Sequence, residues 1–150
     1  MLNSEVNCVK VRILSVGVIL FLLLITCFPV FAKSNNWSFV MKQRLVDGSS
    51  NGQYYNLSKG KVKISGSVSS TKQKNPYGGN KPNPLYMALY NERFGPDEYC
   101  GQIVIKNPTK YSITKREIGS TTVADDDYYL EIYKGEKDYW TTTGSGRIFN

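Results

Sequence analysis

Between Lys61 and Val68 every second residue is apolar or glycine: Val62, Ile64, Gly66 and Val68 share one parity, and Lys61, Lys63, Ser65 and Ser67 the other. A period of two is that of a strand, whose successive side chains leave on opposite faces, so residues 59 to 69 read as a half-buried antiparallel strand. The pattern recurs. Trp37, Phe39, Met41 and Leu45 share a parity. Leu85, Met87 and Leu89 oppose Tyr86, Ala88 and Tyr90, apolar on both sides as in a central strand. Tyr128, Leu130 and Ile132 oppose Tyr129, Glu131 and Tyr133. No stretch of helical length keeps a period of 3.6 residues.

Turn signals separate these runs. Asn51-Gly52 predicts a hairpin into a short return strand at Tyr54, Tyr55 and Leu57, because both turn residues tolerate positive φ. Residues 69 to 84 read as a long exposed loop, Gly95-Pro96 and Asn107-Pro108 as strand ends, and Gly144-Ser145-Gly146 as the turn of a final hairpin. Residues 111 to 124 are open between a strand and a helical turn at Lys115-Arg116-Glu117. About seven to nine short strands result, the pattern of an all-β antiparallel β-sandwich of jelly-roll or Ig-like kind.

Ahead of these runs, Lys10 and Arg12 precede an apolar stretch ending in Val30-Phe31-Ala32, which reads as a signal peptide over residues 1 to 32 followed by one extracellular domain over residues 33 to 150. An uncleaved anchor facing outside, or lipidation at Cys27 in Leu24-Ile25-Thr26-Cys27, would leave the domain on the same side, since Lys10 and Arg12 stay inside. The leader takes Cys8 and Cys27 with it. Cys100 then has no partner within the domain, so the chain is expected as a monomer or a Cys100-linked dimer; its parity with Gln102 and Lys106 would allow partial exposure, but a small buried hydrophobe facing a second layer is the commoner role of a free cysteine and the favoured reading. An exported domain without disulfides points to a bacterial envelope.

The chain holds no histidine, which removes Ser-His-Asp and Cys-His catalysis and His-ligated zinc. Carboxylates remain, and Glu131 between Tyr129 and Tyr133 resembles the aromatic-flanked acid of a sugar site, but no spacing selects a pair among Glu92, Asp97, Glu98, Glu117, Glu131 and Asp138. Asp125, Asp126 and Asp127 are the one candidate for a cation, Ca²⁺, if a turn makes them converge; otherwise no cofactor is expected.

The net charge of +7 belongs mainly to residues 33 to 150, and no acid falls between Asp47 and Glu92. Lys61, Lys63, Lys72, Lys74 and Lys81, with Tyr77 in the basic loop, form a candidate contact surface, joined by Tyr129, Glu131 and Tyr133 as a sugar-stacking set. The expectation is a secreted, non-catalytic binding protein that contacts an anionic cell-wall polymer or a polysaccharide, with a membrane surface as a further partner and nucleic acid not favoured. A membrane-active toxin or antimicrobial protein and a carboxylate-based glycan hydrolase are the alternatives.

Overall fold

The computed structural model describes residues 33–74, 79–119, 123–124 and 126–150, which hold nine strands and no helix. The 1–32 leader, Tyr77 and Asp125 lie outside the described residues. In chain order the strands are β1 (Ser34–Met41), β2 (Leu45–Asp47), β3 (Tyr54–Leu57), β4 (Lys63–Lys72), β5 (Leu85–Asn91), β6 (Glu98–Ile105), β7 (Lys110–Glu117), β8 (Asp126–Lys134) and β9 (Trp140–Phe149). One antiparallel sheet has the order β1, β9, β4, β7. The other has β2, β8, β5, β6, with β3 also on β8.

Each predicted apolar parity turns inward. Trp37, Phe39, Met41, Ile64, Val68, Ile113 and Ile148 from the first sheet meet Leu57, Leu85, Met87, Leu89, Ile103, Ile105, Leu130 and Ile132 from the second in one buried cluster. Two sheets sharing one core are consistent with a β-sandwich. Leu45 departs from its expected parity, because the chain bends between β1 and β2 and leaves its side chain 51% exposed on the outer face. Lys61 precedes β4 rather than belonging to it.

The turn at Asn51-Gly52 forms, but it does not close a hairpin. Leu45, Val46 and Asp47 pair with Tyr133, Ile132 and Glu131, while Tyr54 to Leu57 pair with Tyr129 to Asp126, so β2 and β3 lie along the same side of β8. They are one edge strand interrupted by residues 48 to 53. Gly48 N–H donates to Leu130 O at 3.0 Å and Gln53 N–H to Gly48 O at 2.8 Å, which pins both ends of the interruption.

Gly144-Ser145-Gly146 is not a turn. β9 runs unbroken through it, pairing with β1 on one side and β4 on the other. The glycines are there for space: Trp37 and Phe39 stack on each other at 6.1 Å and lie across β9 and β4. A Cβ on Gly144 would stand 2.5 Å from Phe39 Cε1, and one on Gly66 would stand 2.7 Å from Trp37 Cζ2. Glycine in a strand here marks the close approach of another group.

β8 ends in a buried ion pair. Lys134 Nζ donates to both carboxylate oxygens of Asp138 at 2.9 Å and to Trp140 O at 3.2 Å, while Asp138 also accepts Asn83 N–H at 2.8 Å and Trp140 N–H at 3.0 Å. The Lys134 side chain has no exposure. This pair fastens the 135 to 139 connection and the entry to β5, and it places Asp138 in the framework rather than at a candidate site.

Candidate functional site

The outer face of the second sheet is paved with tyrosine. The register across its strands sets Tyr54 of β3 beside Tyr129 of β8, Tyr129 beside Tyr90 of β5, and Tyr90 beside Tyr99 of β6. Four rings therefore cross the sheet in one row. Tyr90 and Tyr129 stack at 5.5 Å with planes 14° apart, and the outer rings turn, Tyr99 by 65° against Tyr90 and Tyr54 by 84° against Tyr129. The inner rings spend their faces on each other, whereas Tyr99, 53% exposed, and Tyr54, 37% exposed, keep ring surface towards solvent.

Four residues along β8 and β5 lies a second row, in which Tyr86 and Tyr133 stack at 5.0 Å with planes 8° apart between Leu45 and Val104. Between the rows the register places Asp47, Glu131, Ala88 and Gln102 side by side. Ala88 carries only a methyl group and is fully buried, so the polar groups of this middle row are those of Asp47, Glu131 and Gln102, with tyrosines on either side.

Hydroxyls and acids tie the tyrosines down. Tyr129 donates to Asp97 Oδ2 at 2.7 Å, Tyr54 to Glu92 Oε1 at 3.0 Å and Tyr133 to Gln102 Oε1 at 3.0 Å. Asp97 and Glu92 come from the β5–β6 connection, which also holds out the Phe94 ring fully exposed. Between the rows, partial burial holds the Glu131 carboxyl above its ordinary range, and the charge of Asp47 adds to the effect. Asp47 moves the other way: burial raises it, but hydrogen bonds from Ser49 and Ser50 outweigh burial and lower it. Those bonds engage both its oxygens, Oδ1 with Ser49 N–H and Oγ–H and Oδ2 with Ser50 Oγ–H, so Asp47 is chiefly the cap of the 48 to 53 turn.

No protein-family model and no curated protein matches this chain. The geometry alone carries the functional argument.

Of the residues singled out in the sequence, Tyr129, Glu131 and Tyr133 lie together on this face. The lysines do not join them or one another. Lys63 and Lys72 are the first and last residues of β4, about 30 Å apart at ~3.3 Å per residue, on the other sheet. Lys61 stands at the Lys63 end and pairs with Glu117 at 3.5 Å, Lys74 follows Lys72, and Lys81 is exposed in the connection before β5. Asp126 and Asp127 are consecutive residues of β8 and leave on opposite faces; Asp127 accepts Asn56 Nδ2–H at 2.8 Å. Among the described residues no three acidic, cysteine or histidine groups are placed to hold a metal ion.

Cys100 lies between its two readings, partly buried. Leu89 pairs with Gly101 and Tyr90 with Tyr99, so Cys100 is the extra residue of a β-bulge and packs partly buried against the core. The residues missed in the sequence are Tyr54, Tyr86, Tyr90 and Tyr99. Their outward parity was visible, but the rows exist only through cross-strand register.

Proposed function

We propose that this chain is a small exported binding module of the bacterial envelope, which holds a glycan against the tyrosine face of the β2–β8–β5–β6 sheet without transforming it. The observation that carries the reading is the row Tyr54–Tyr129–Tyr90–Tyr99, ending in two exposed rings. A phenol ring offers an apolar face to sugar C–H groups and a polar tip to their hydroxyls, and the row between the tyrosines adds the carboxylate of Glu131 and the amide of Gln102. Asp47, Glu92, Asp97 and Glu131 make the face acidic, which favours a neutral glycan here and leaves a polyanion to the scattered lysines outside it.

The strand pairing supports a jelly-roll as the finer description of the fold. With β2 and β3 counted as one strand, the chain folds back on itself in nested antiparallel pairs: β1 with β9, β2 and β3 with β8, β4 with β7, β5 with β6. Lectin domains are among the proteins built this way, which is an analogy of fold and not of site.

Retention of the purified chain on an insoluble neutral polysaccharide tests the reading. Binding should survive raised salt, and Tyr54→Ala and Tyr99→Ala should each weaken it about fivefold, because one aromatic contact is worth about 1 kcal/mol. Lys72→Gln with Lys74→Gln should leave it unchanged. Retention only on a polyanion, released by salt and indifferent to the tyrosines, would overturn the tyrosine face as the site.

A second reading, hydrolysis by a carboxylate pair, draws on Glu131 and Asp47, whose environments push their proton affinities apart across one strand pair. Binding and hydrolysis separate in one variant. For a binder, retention falls as pH drops through the raised Glu131 value, above the ordinary carboxylate range, as the acceptor is protonated; Glu131→Gln flattens that profile and no reducing ends appear with either protein. Release of reducing ends that Glu131→Gln abolishes by at least about a hundredfold would make the chain an enzyme.

A further inference from the structure

A second recess lies where β5 runs into β6, a cleft of about 230 Å³ lined by Asn91, Arg93, Cys100, Ala124 and Tyr128 among others. Asn91 is only 2% exposed. Its Nδ2–H donates to the Tyr128 hydroxyl at 3.5 Å, and that hydroxyl donates to Ala124 O at 3.2 Å. Asn91 Oδ1, equally buried, meets no donor among the described residues. Buried acceptors are almost always satisfied, so this cleft calls for an N–H or O–H group. Beside it stands Cys100, the one cysteine among the described residues, whose Sγ–H donates to Glu98 O at 3.5 Å. Arg93 and Glu98 form an ion pair on its lining, offering a cation and an anion together.

A sulfur, an unsatisfied acceptor and a charge pair of both signs fit a ligand with a thiol, an ammonium and a carboxylate. We propose that the cleft is an S-thiolation site, in which Cys100 carries a small zwitterionic aminothiol of the cysteine type as a mixed disulfide. The ammonium donates to Asn91 Oδ1, and the carboxylate lies beside the Arg93 guanidinium, which has donors beyond those that Glu98 takes. The reaction is thiol–disulfide exchange with the small symmetrical disulfide as oxidant. Cys100 gives up its proton and its sulfur attacks one sulfur of the reagent. The reagent's S–S bond breaks, a new one forms to Cys100, and the leaving thiolate takes up the proton. Burial, with the Glu98 charge adding, raises the Cys100 thiol above its ordinary range, so equilibrium rather than rate reports the site.

The full chain is equilibrated in turn with cystine and cysteine, cystamine and cysteamine, hydroxyethyl disulfide and its thiol, and dithiodiglycolate and its thiol. Each mixture is acid-quenched, and the adduct is read by mass spectrometry on the tryptic peptide 94–106, which separates Cys100 from Cys8 and Cys27. The native chain should favour the cysteine adduct at least about tenfold over the same chain in urea, the size of one charge-assisted hydrogen bond. The cysteamine adduct should follow, and the two reagents without an ammonium should show no preference beyond about twofold. Asn91→Leu should remove the preference for the ammonium reagents. Equal ratios for native and unfolded chains, no discrimination among the four disulfides in the wild-type chain, or Cys100–Cys100 dimers in place of the adduct would each overturn the proposal.

Discussion

A Gly146→Ala chain is expected to lose at least about 4 kcal/mol of stability, a large share of the roughly 5–15 kcal/mol margin of a typical domain. The new Cβ would fall on the carbonyl oxygen of Ser65 and stand 2.6 Å from Gly66 Cα, both backbone atoms of the neighbouring strand. Ladder spacing of about 4.8 Å holds that strand where it is, and no rotamer change relieves the overlap. Gly144→Ala meets instead the Phe39 ring at 2.5 Å and Trp37 Cζ3 at 3.0 Å, side-chain atoms that can give way, so its cost should be about 1–3 kcal/mol. The distinction is testable by rescue. Phe39→Leu should recover much of the Gly144→Ala loss and none of the Gly146→Ala loss, measured by urea unfolding followed through tryptophan fluorescence. Equal and small costs at both glycines would contradict this account of β9.

Removing the acid of the buried ion pair should be nearly as severe. Asp138→Ala leaves the Lys134 ammonium inside the protein with only Trp140 O as partner and frees the Asn83 and Trp140 N–H groups, for an expected loss of about 3–5 kcal/mol. The penalty arises from the stranded charge more than from the lost attraction. Lys134→Met combined with Asp138→Asn should therefore be markedly more stable than Asp138→Ala, since it removes the charge and keeps an oxygen for the backbone donors. If the double variant unfolds at the same urea concentration as Asp138→Ala, the stranded charge is not the cause.

What the sequence made legible was local. Alternation located β4, β5 and β8 and named their buried sides, because one parity facing a core leaves its mark within a few residues. Gly144-Ser145-Gly146 misled because the demand for glycine comes from Trp37 and Phe39 at Gly144 and from the backbone of Ser65 and Gly66 at Gly146, about 80 to 107 residues earlier in the chain, and nothing nearby reveals it. For Cys100 the parity with Gln102 was a poor guide for a related reason: a single extra residue in the pairing of β6 with β5 interrupts the alternation there. The candidate site was half legible. Tyr129, Glu131 and Tyr133 alternate within one strand, whereas Tyr54, Tyr90 and Tyr99 reach the same row only through three separate pairings. The lysines of β4 and its flanks cluster along the chain and are scattered in space, since a strand carries its two ends far apart.

The nested pairing of the strands sets a timetable for the chain. Only β5 and β6 can meet early, across the short connection that ends in Glu98; every other pair closes around them, and β1 meets its sole neighbour, β9, at the very end. β9 also separates β1 from β4, so the first sheet has no centre until the last ten residues of β9 have been synthesised. Contacts this distant in sequence make for slow assembly. The domain would thus stay open until β9 is in place, so its first and last strands close the core in one late, all-or-none step.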